Sequence, residues 1–242
     1  MSGFDIKEYI KGLHAKCDLI IDASLVEPNL SMVASSHQFA HELDGWYSTL
    51  IQRKEAELLR VAALEYEYAL LALVQGHYRH SFKGLRLVLE LALQSVCLSS
   101  NELVLREWLD NRFDTSWRAI VHTDSGVFSV RFADAFFPDL KNHVKNYQSL
   151  SQSLYRECSE CVHGNTPKHI PLPSSLVFNQ SVFELWHQKA DNVALTVHFA
   201  LTMRYLVDLT TYGEISKIEA FLCDRLGHIE EIRRLLGGPT KG

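Results

Sequence analysis

The sequence predicts an all-α protein, a helical bundle with long antiparallel helices, on three observations. Chain breakers are scarce, with 12 glycines and 6 prolines in 242 residues, against a combined share of roughly 12% in average proteins. Apolar residues make up 47% of the chain and charged ones 22%, a globular composition at a length where one domain buries about 70% of its unfolded surface. Apolar positions also recur at steps of three and four through tracts without proline, the period of a helix with one buried face. No internal repeat and no shift of composition marks a linker, so 1–242 reads as a single helical domain.

Residues 4–22 carry Phe4, Tyr9, Leu13 and Ile20 among mixed charges and predict an amphipathic first helix, which Pro28 and Asn29 break. From Ser31 to Gln75 the chain has no proline and only Gly45, and Leu43, Trp46, Tyr47 and Leu50, then Leu64, Tyr68 and Leu71, keep helical spacing. This tract predicts one long helix or two nearly collinear ones. After a break at Gly76, residues 77–98 give the cleanest pattern, with Leu85, Val88, Leu89, Ala92, Leu93 and Val96 on one broad core face. Shorter pieces follow at 103–112 and 116–122, and the aromatic stretch from Trp117 through Phe128, Phe132, Phe136 and Phe137 either plugs the core or forms a docking patch. Pro138 opens a helix whose Leu140, Val144, Tyr147, Ser151, Leu154, Cys158 and Cys161 form a seam, and Gly164, Asn165 and Pro167 are positioned to end it. A long tract from Ser181 to Tyr212 and one or two helices between Glu214 and Leu236 complete the chain.

A formal net charge of −5 gives no bulk attraction to nucleic acid or to an anionic membrane, so such a partner would have to meet a local patch. Asp5, Lys7, Glu8 and Lys11 interrupt the stretch where a signal peptide needs apolar residues. The charge-free runs 170–183 and 192–203 are shorter than a bilayer span of roughly 18 to 20 residues. A cytoplasmic protein with no membrane partner is expected, and its five cysteines are expected to be reduced thiols.

The most informative stretch is Tyr155-Arg156-Glu157-Cys158-Ser159-Glu160-Cys161-Val162-His163-Gly164-Asn165. Arg156, Ser159, Glu160 and His163 fall at i, i+3, i+4 and i+7, one polar stripe if the helix runs through them. An imidazole that titrates near neutrality beside a permanently charged guanidinium suits phosphodiester chemistry without a metal. The structural alternative is an Arg156–Glu160 surface pair with His163 capping the last carbonyls. A second polar row, Arg79, Lys83, Arg86 and Glu90, lies at steps of four, three and four on the helix from His77. It reads either as a phosphate track, with His77 and His80 at its basic end, or as a cross-helix ion network facing Arg156 and His163.

An Arg followed by six residues and then His, near the end of a helix in an all-α protein, resembles the motif of the HEPN superfamily. The resemblance covers residues 77–166, within a HEPN-like core around 77–212 flanked by peripheral helices at 1–75 and 214–236. It implies a dimeric helical bundle from bacterial toxin–antitoxin, antiviral defence or RNA-processing systems, many members being metal-independent endoribonucleases and others inactive. Arg156 and His163 match the catalytic positions, with Ser159 and Asn165 as substrate-binding neighbours; the polar row on the helix from His77 adds Arg79, Lys83 and Arg86 as substrate-binding candidates, with Glu90 and Glu160 in support. Glu157 stands where active members often carry an uncharged polar residue.

Cys158-x-x-Cys161 near His163 has zinc-type ligands but no second pair, and its seam positions favour core thiols. His37 and His41 share a helical face without the Glu of a zincin after His37. Phosphate-binding glycine loops, a nucleophile elbow and a paired-Asp cluster are all absent from the sequence. No metal and no cofactor is therefore expected. Three functions stay open: an RNA-cleaving protein acting as a homodimer, a non-catalytic helical adaptor that docks on a protein partner, and a sensor holding a small ligand between helices.

Overall fold

In a computed structural model, which describes residues 4–162 and 168–239, eleven α-helices and two 3-10 turns account for the secondary structure, with no strand among the described residues. Helix α1 (Ile6–Ser24) starts where the Asp5 carboxylate accepts a hydrogen bond from the Lys7 amide. Helix α2 (Asn29–Thr49) follows Pro28, and a 3-10 turn at Lys54–Ala56 leads into α3 (Glu57–Val74). The tract from Ser31 to Gln75 is thus two helices, and they are not collinear. The Tyr66 hydroxyl donates to the Ser36 carbonyl at 2.9 Å, and the Phe39 and Tyr66 rings meet edge to face at 5.0 Å. A hydrophobic period does not register this reversal, because the turn uses neither glycine nor proline. It is pinned instead by buried Glu55, which pairs with Arg53 at 2.5 Å and accepts from the Tyr205 hydroxyl at 3.2 Å.

Gly76, at φ +78°, turns the chain back again into α4 (Tyr78–Leu98). The antiparallel α3–α4 hairpin closes tightly, since a Cβ added at Gly84 would stand 2.5 Å from the Cβ of Ala69. The predicted face of Leu85, Val88, Leu89, Ala92, Leu93 and Val96 is buried throughout, at about 1.5–3 kcal/mol for each large apolar side chain removed from water. Three short helices follow, α5 (Glu102–Leu109), α6 (Trp117–Ile120) and α7 (Val130–Phe136), each opened by a side-chain cap, from Asn101, Ser116 and Ser129 in turn. The aromatic stretch plugs the core: Phe128, Phe132 and Phe137 are buried and Trp117 and Phe136 pack against them.

After the 3-10 turn Pro138–Asn142 comes α8 (Val144–Ser159), whose seam residues Tyr147, Ser151, Leu154 and Cys158 face inward. Helix α9 (Gln180–Tyr212) then runs 33 residues through the centre of the molecule and stops at Gly213, which takes the left-handed conformation at φ 71°. Helices α10 (Glu219–Leu226) and α11 (Glu230–Leu235) close over one end. One hydrophobic cluster joins Phe39 of α2 to Leu236 beyond α11. Among the described residues no helix is long and apolar enough to cross a membrane.

The hairpin contact is open to test. Replacing Gly84 by Val forces α3 and α4 apart and is expected to cost about 1–3 kcal/mol in urea unfolding. Gly12→Ala, at a helical position where an added Cβ meets nothing within 4 Å, is expected to stabilise slightly, by about 0.5–1 kcal/mol.

Candidate functional site on α4 and α8

Helices α4 and α8 run antiparallel, so the polar row of one meets the C-terminal end of the other. Arg86 donates from Nη2 to the Tyr155 hydroxyl at 2.5 Å and to Glu90 Oε1 at 3.2 Å. Its guanidinium lies 4.4 Å from the centroid of the Tyr155 ring, and that ring stacks flat on Trp117 at 4.0 Å. Arg86 is therefore held between two helices by an ion pair, a hydrogen bond and a π face. One turn and more away, Arg79 Nη1 donates to the Cys161 carbonyl at 3.2 Å, satisfying a backbone acceptor just past the end of α8. Lys83, between them in sequence, is half-buried and has no ion-pair partner among the described residues.

On α8 the expected residues diverge. Arg156 is exposed, with no carboxylate in ion-pair reach among the described residues and no hydrogen bond to the α4 row. Ser159 donates its hydroxyl to the Tyr155 carbonyl at 2.6 Å, a bond internal to the helix. Glu160 closes the returning loop: it accepts from the amides of Lys168 and His169, both at 3.0 Å, and pairs with His169 Nδ1 at 2.6 Å. Partial burial works against its charge, but the hydrogen bonds from His169 and Lys168 prevail and hold its carboxyl below the ordinary range. Glu157 pairs with Lys189 of α9, both largely buried.

The predicted stripe is corrected at its far end. It assumed a helix continuing through His163, whereas α8 ends at Ser159 and residues 160–162 form a turn, with Cys161 and Val162 amides bonded to the carbonyls of Cys158 and Ser159. His163 and Asn165 lie outside the described residues. At the other end of the row, a cavity of about 290 Å³ opens at the start of α4, lined by His77, Arg79, His80, Ser174 and Ser175 and by no carboxylate.

Cys158 and Cys161 are buried free thiols, and burial pushes them up to about 12 and about 11. Both belong to the hydrophobic core, as their seam positions imply. The His37 and His41 rings touch edge to face at 4.8 Å on the exposed side of α2. Among the described residues no three His, Cys, Asp or Glu side chains gather as a metal-ligand group.

A second polar cluster escaped the sequence reading because its members lie 156 residues apart. His198 of α9, fully buried, meets Glu42 Oε2 of α2 through Nε2 at 2.7 Å and receives the Trp46 indole N–H on Nδ1 at 3.0 Å. An indole only donates, so Nδ1 is bare and Nε2 carries the proton that goes to Glu42. Arg225 of α10 meets the other Glu42 oxygen at 3.2 Å. Burial drives the His198 pKa below its ordinary value, against the pull of Glu42. Burial opposes the Glu42 charge, yet His198 and Arg225 together hold its carboxyl below the usual range. The sequence does carry one clue, a lone His in the apolar run 192–203. Nearby, His187 touches Ser36 Oγ at 2.6 Å, and burial lowers its pKa to about 4.

No protein-family model, curated protein or solved structure matches this chain.

The buried histidines fix a pH dependence. Both have lowered folded-state pKa values, so unfolding takes up protons once the pH falls below the ordinary value of 6.5. Glu42, also lowered, adds a further loss below 4.5. Stability is expected to be flat above pH 6.5 and to fall on acidification, with His187 alone contributing about 3 kcal/mol between there and pH 4. Urea unfolding against pH checks this: His187→Leu should take up about one proton fewer in that window, and an unchanged slope would refute the assignment.

Proposed function

We propose that the α4–α8 face binds the phosphate backbone of RNA and that the protein is an endoribonuclease of the kind its resemblance to the HEPN superfamily implies. The observation behind this reading is the disposition of charge. The carboxylates beside Arg86 and Arg156 are engaged internally, Glu90 by Arg86, Glu157 by Lys189 and Glu160 by His169, while Glu65 shares a groove with Lys83 and His80. Arg79, Lys83, Arg156 and Lys168 have no carboxylate partner among the described residues. The unfavourable charge of Glu157 beside the Arg of the motif is thus offset within the fold, leaving Arg156 open to an anion. In this reading Arg156 holds the phosphate and His163 moves the proton as a ribose 2′-hydroxyl attacks the adjacent phosphorus and the 5′-oxygen leaves. Lys83 and Arg79 track the backbone by charge, which makes binding salt-dependent. A homodimer and a role in defence or toxin systems belong to the same proposal.

A second reading is favoured by a specific observation. Arg79, Arg86 and Glu160 each tie one segment to another, α4 to the end of α8, α4 to Tyr155, and the turn to the loop at 168–169. A non-catalytic helical subunit would need those same bonds and no phosphate.

Incubation of the protein with mixed RNA in EDTA separates the two. Cleavage that falls by about 100-fold or more in Arg156→Ala and in His163→Ala, at unchanged thermal stability, supports the nuclease. Lys83→Glu is expected to weaken binding of labelled single-stranded RNA by about tenfold at low salt. RNA neither bound nor cut by the wild type would leave the subunit reading.

A further inference from the structure

The five cysteines are not equivalent, because one of them is half of a thiol and imidazole pair. Cys17 Sγ of α1 lies 3.8 Å from Nε2 of His77, the residue that precedes α4. Among the described residues no other thiol is in hydrogen-bond contact with an imidazole. Cys158 and Cys161 are sealed in the core at 1% and 0% exposure, whereas Cys17 is 8% exposed. Burial pushes the Cys97 thiol up, and burial together with the neighbouring Glu219 and Asp224 does the same to Cys223. The thiolate is the nucleophile of sulfur chemistry, and an imidazole within reach takes its proton. Cys17 alone has that base beside it.

His77 is also a wall of the cavity of about 290 Å³ at the start of α4. Cys17 thus stands one side chain behind the wall, and α1 meets the rim again one turn on, where a Cβ added at Gly76 would lie 2.5 Å from Ile20 and 3.3 Å from Leu176. Arg79 and His80 share the wall with His77, Ser174 and Ser175 add hydroxyls, and no carboxylate lines the cavity among the described residues. On α1 the neighbours of Cys17 in sequence, Lys16 and Asp18, balance each other in charge and are exposed. The cationic wall therefore decides which reactant approaches, and it favours an anion. We propose that Cys17 and His77 form a thiol-exchange site for a small disulfide that bears carboxylates, of the class of oxidised glutathione. The Cys17 thiol gives its proton to His77 Nε2, and its sulfur attacks one sulfur of the disulfide while the carboxylates rest against Arg79, His80 and the serine hydroxyls. The disulfide bond breaks, a mixed disulfide forms on Cys17, and the departing thiolate takes the proton back from His77. The incoming disulfide is itself the oxidant, and one small thiol is released. Neither Arg156 nor His163 takes part, so the proposal stands apart from RNA cleavage.

The test mixes the full, reduced chain with oxidised glutathione or with cystamine, a disulfide of opposite charge, and reads by mass spectrometry how fast each cysteine gains either group. Cys223, exposed beside Glu219 and Asp224, is the internal standard for the intrinsic reactivity of the two reagents. Cys17 is expected to take up glutathione, with a preference for it over cystamine at least about tenfold greater than at Cys223. Arg79→Gln should bring that preference towards the Cys223 value. His77→Asn, which keeps a residue suited to precede a helix, should slow Cys17 with both reagents by about tenfold. An unaltered melting curve shows that each variant folds, and the wild-type preference decides alone if one does not. A Cys17 left unmodified while Cys223 reacts, equal preference at the two thiols, or undiminished reaction in folded His77→Asn would each overturn the proposal.

Discussion

Enclosing the central turns of a 33-residue helix is the constraint from which most of this structure follows. Helix α9 buries Phe183, Trp186 and Val193 on one face and, from Thr196 to Leu206, every residue around its circumference, Val197, Phe199, Leu201 and Met203 among them. A helix with apolar residues all round is stable only when enclosed. Helices α2, α4, α7, α8 and α10 all lay faces against it. The same enclosure traps polar side chains that α9 also carries, and each must find a partner or lose its hydration without return. Lys189 takes Glu157 of α8, His198 takes Glu42 of α2, and Arg204 donates to Ser99 at 2.9 Å beyond the end of α4. Three polar groups on one helix thereby fix the position of three neighbours, a specification that apolar packing alone supplies less sharply.

The cluster around Glu42 shows how such a group acquires a single state. His198 in isolation has two neutral tautomers and a charged form; the Trp46 indole removes one tautomer, and burial disfavours the charge. The His198 hydrogen bond and the Arg225 guanidinium on its second oxygen together hold the Glu42 carboxyl below the usual range. The result is a proton held in one place between α2 and α9, with α10 latched to both. Its full burial makes it a structural device, whereas the α4–α8 row, with Arg156 and Lys83 accessible to solvent, keeps cations in contact with water.

The fold class and most elements were legible in the sequence because they depend on local periodicity. The faces of α4 and α8 and the uninterrupted α9 are all written in short-range patterns. What was not legible depends on pairs distant along the chain. The reversal after α2 needs Glu55 to meet Tyr205, 150 residues away, and no spacing rule near Glu55 announces it. The site shows the same division. The sequence singled out Arg86, Glu90 and Glu160 as polar and aligned, but whether each faces a ligand or a neighbouring helix is decided by Tyr155 and His169 across the fold. The helix was also expected to reach His163, since no breaker precedes Gly164; α8 ends at Ser159, and in the turn that follows Glu160 bonds the loop at 168–169.

Four arginines make the general point that a guanidinium's role is set by its surroundings. Arg204 is buried, sandwiched between the Phe136 and Tyr205 rings at 4.2 and 4.8 Å, and burial lowers its pKa without removing its charge at neutral pH. Arg86 has one ring and one carboxylate, and Arg79 a single backbone carbonyl. Arg156 is exposed and meets no carboxylate among the described residues. Along that order the protein supplies fewer internal partners, and the capacity to hold an external anion rises accordingly. Arg204 and Arg86 are held by rings and hydrogen bonds within the fold, although the Arg86 Nε is buried without a hydrogen-bond partner. Arg156, exposed, has no ring, carboxylate or carbonyl partner of that kind among the described residues.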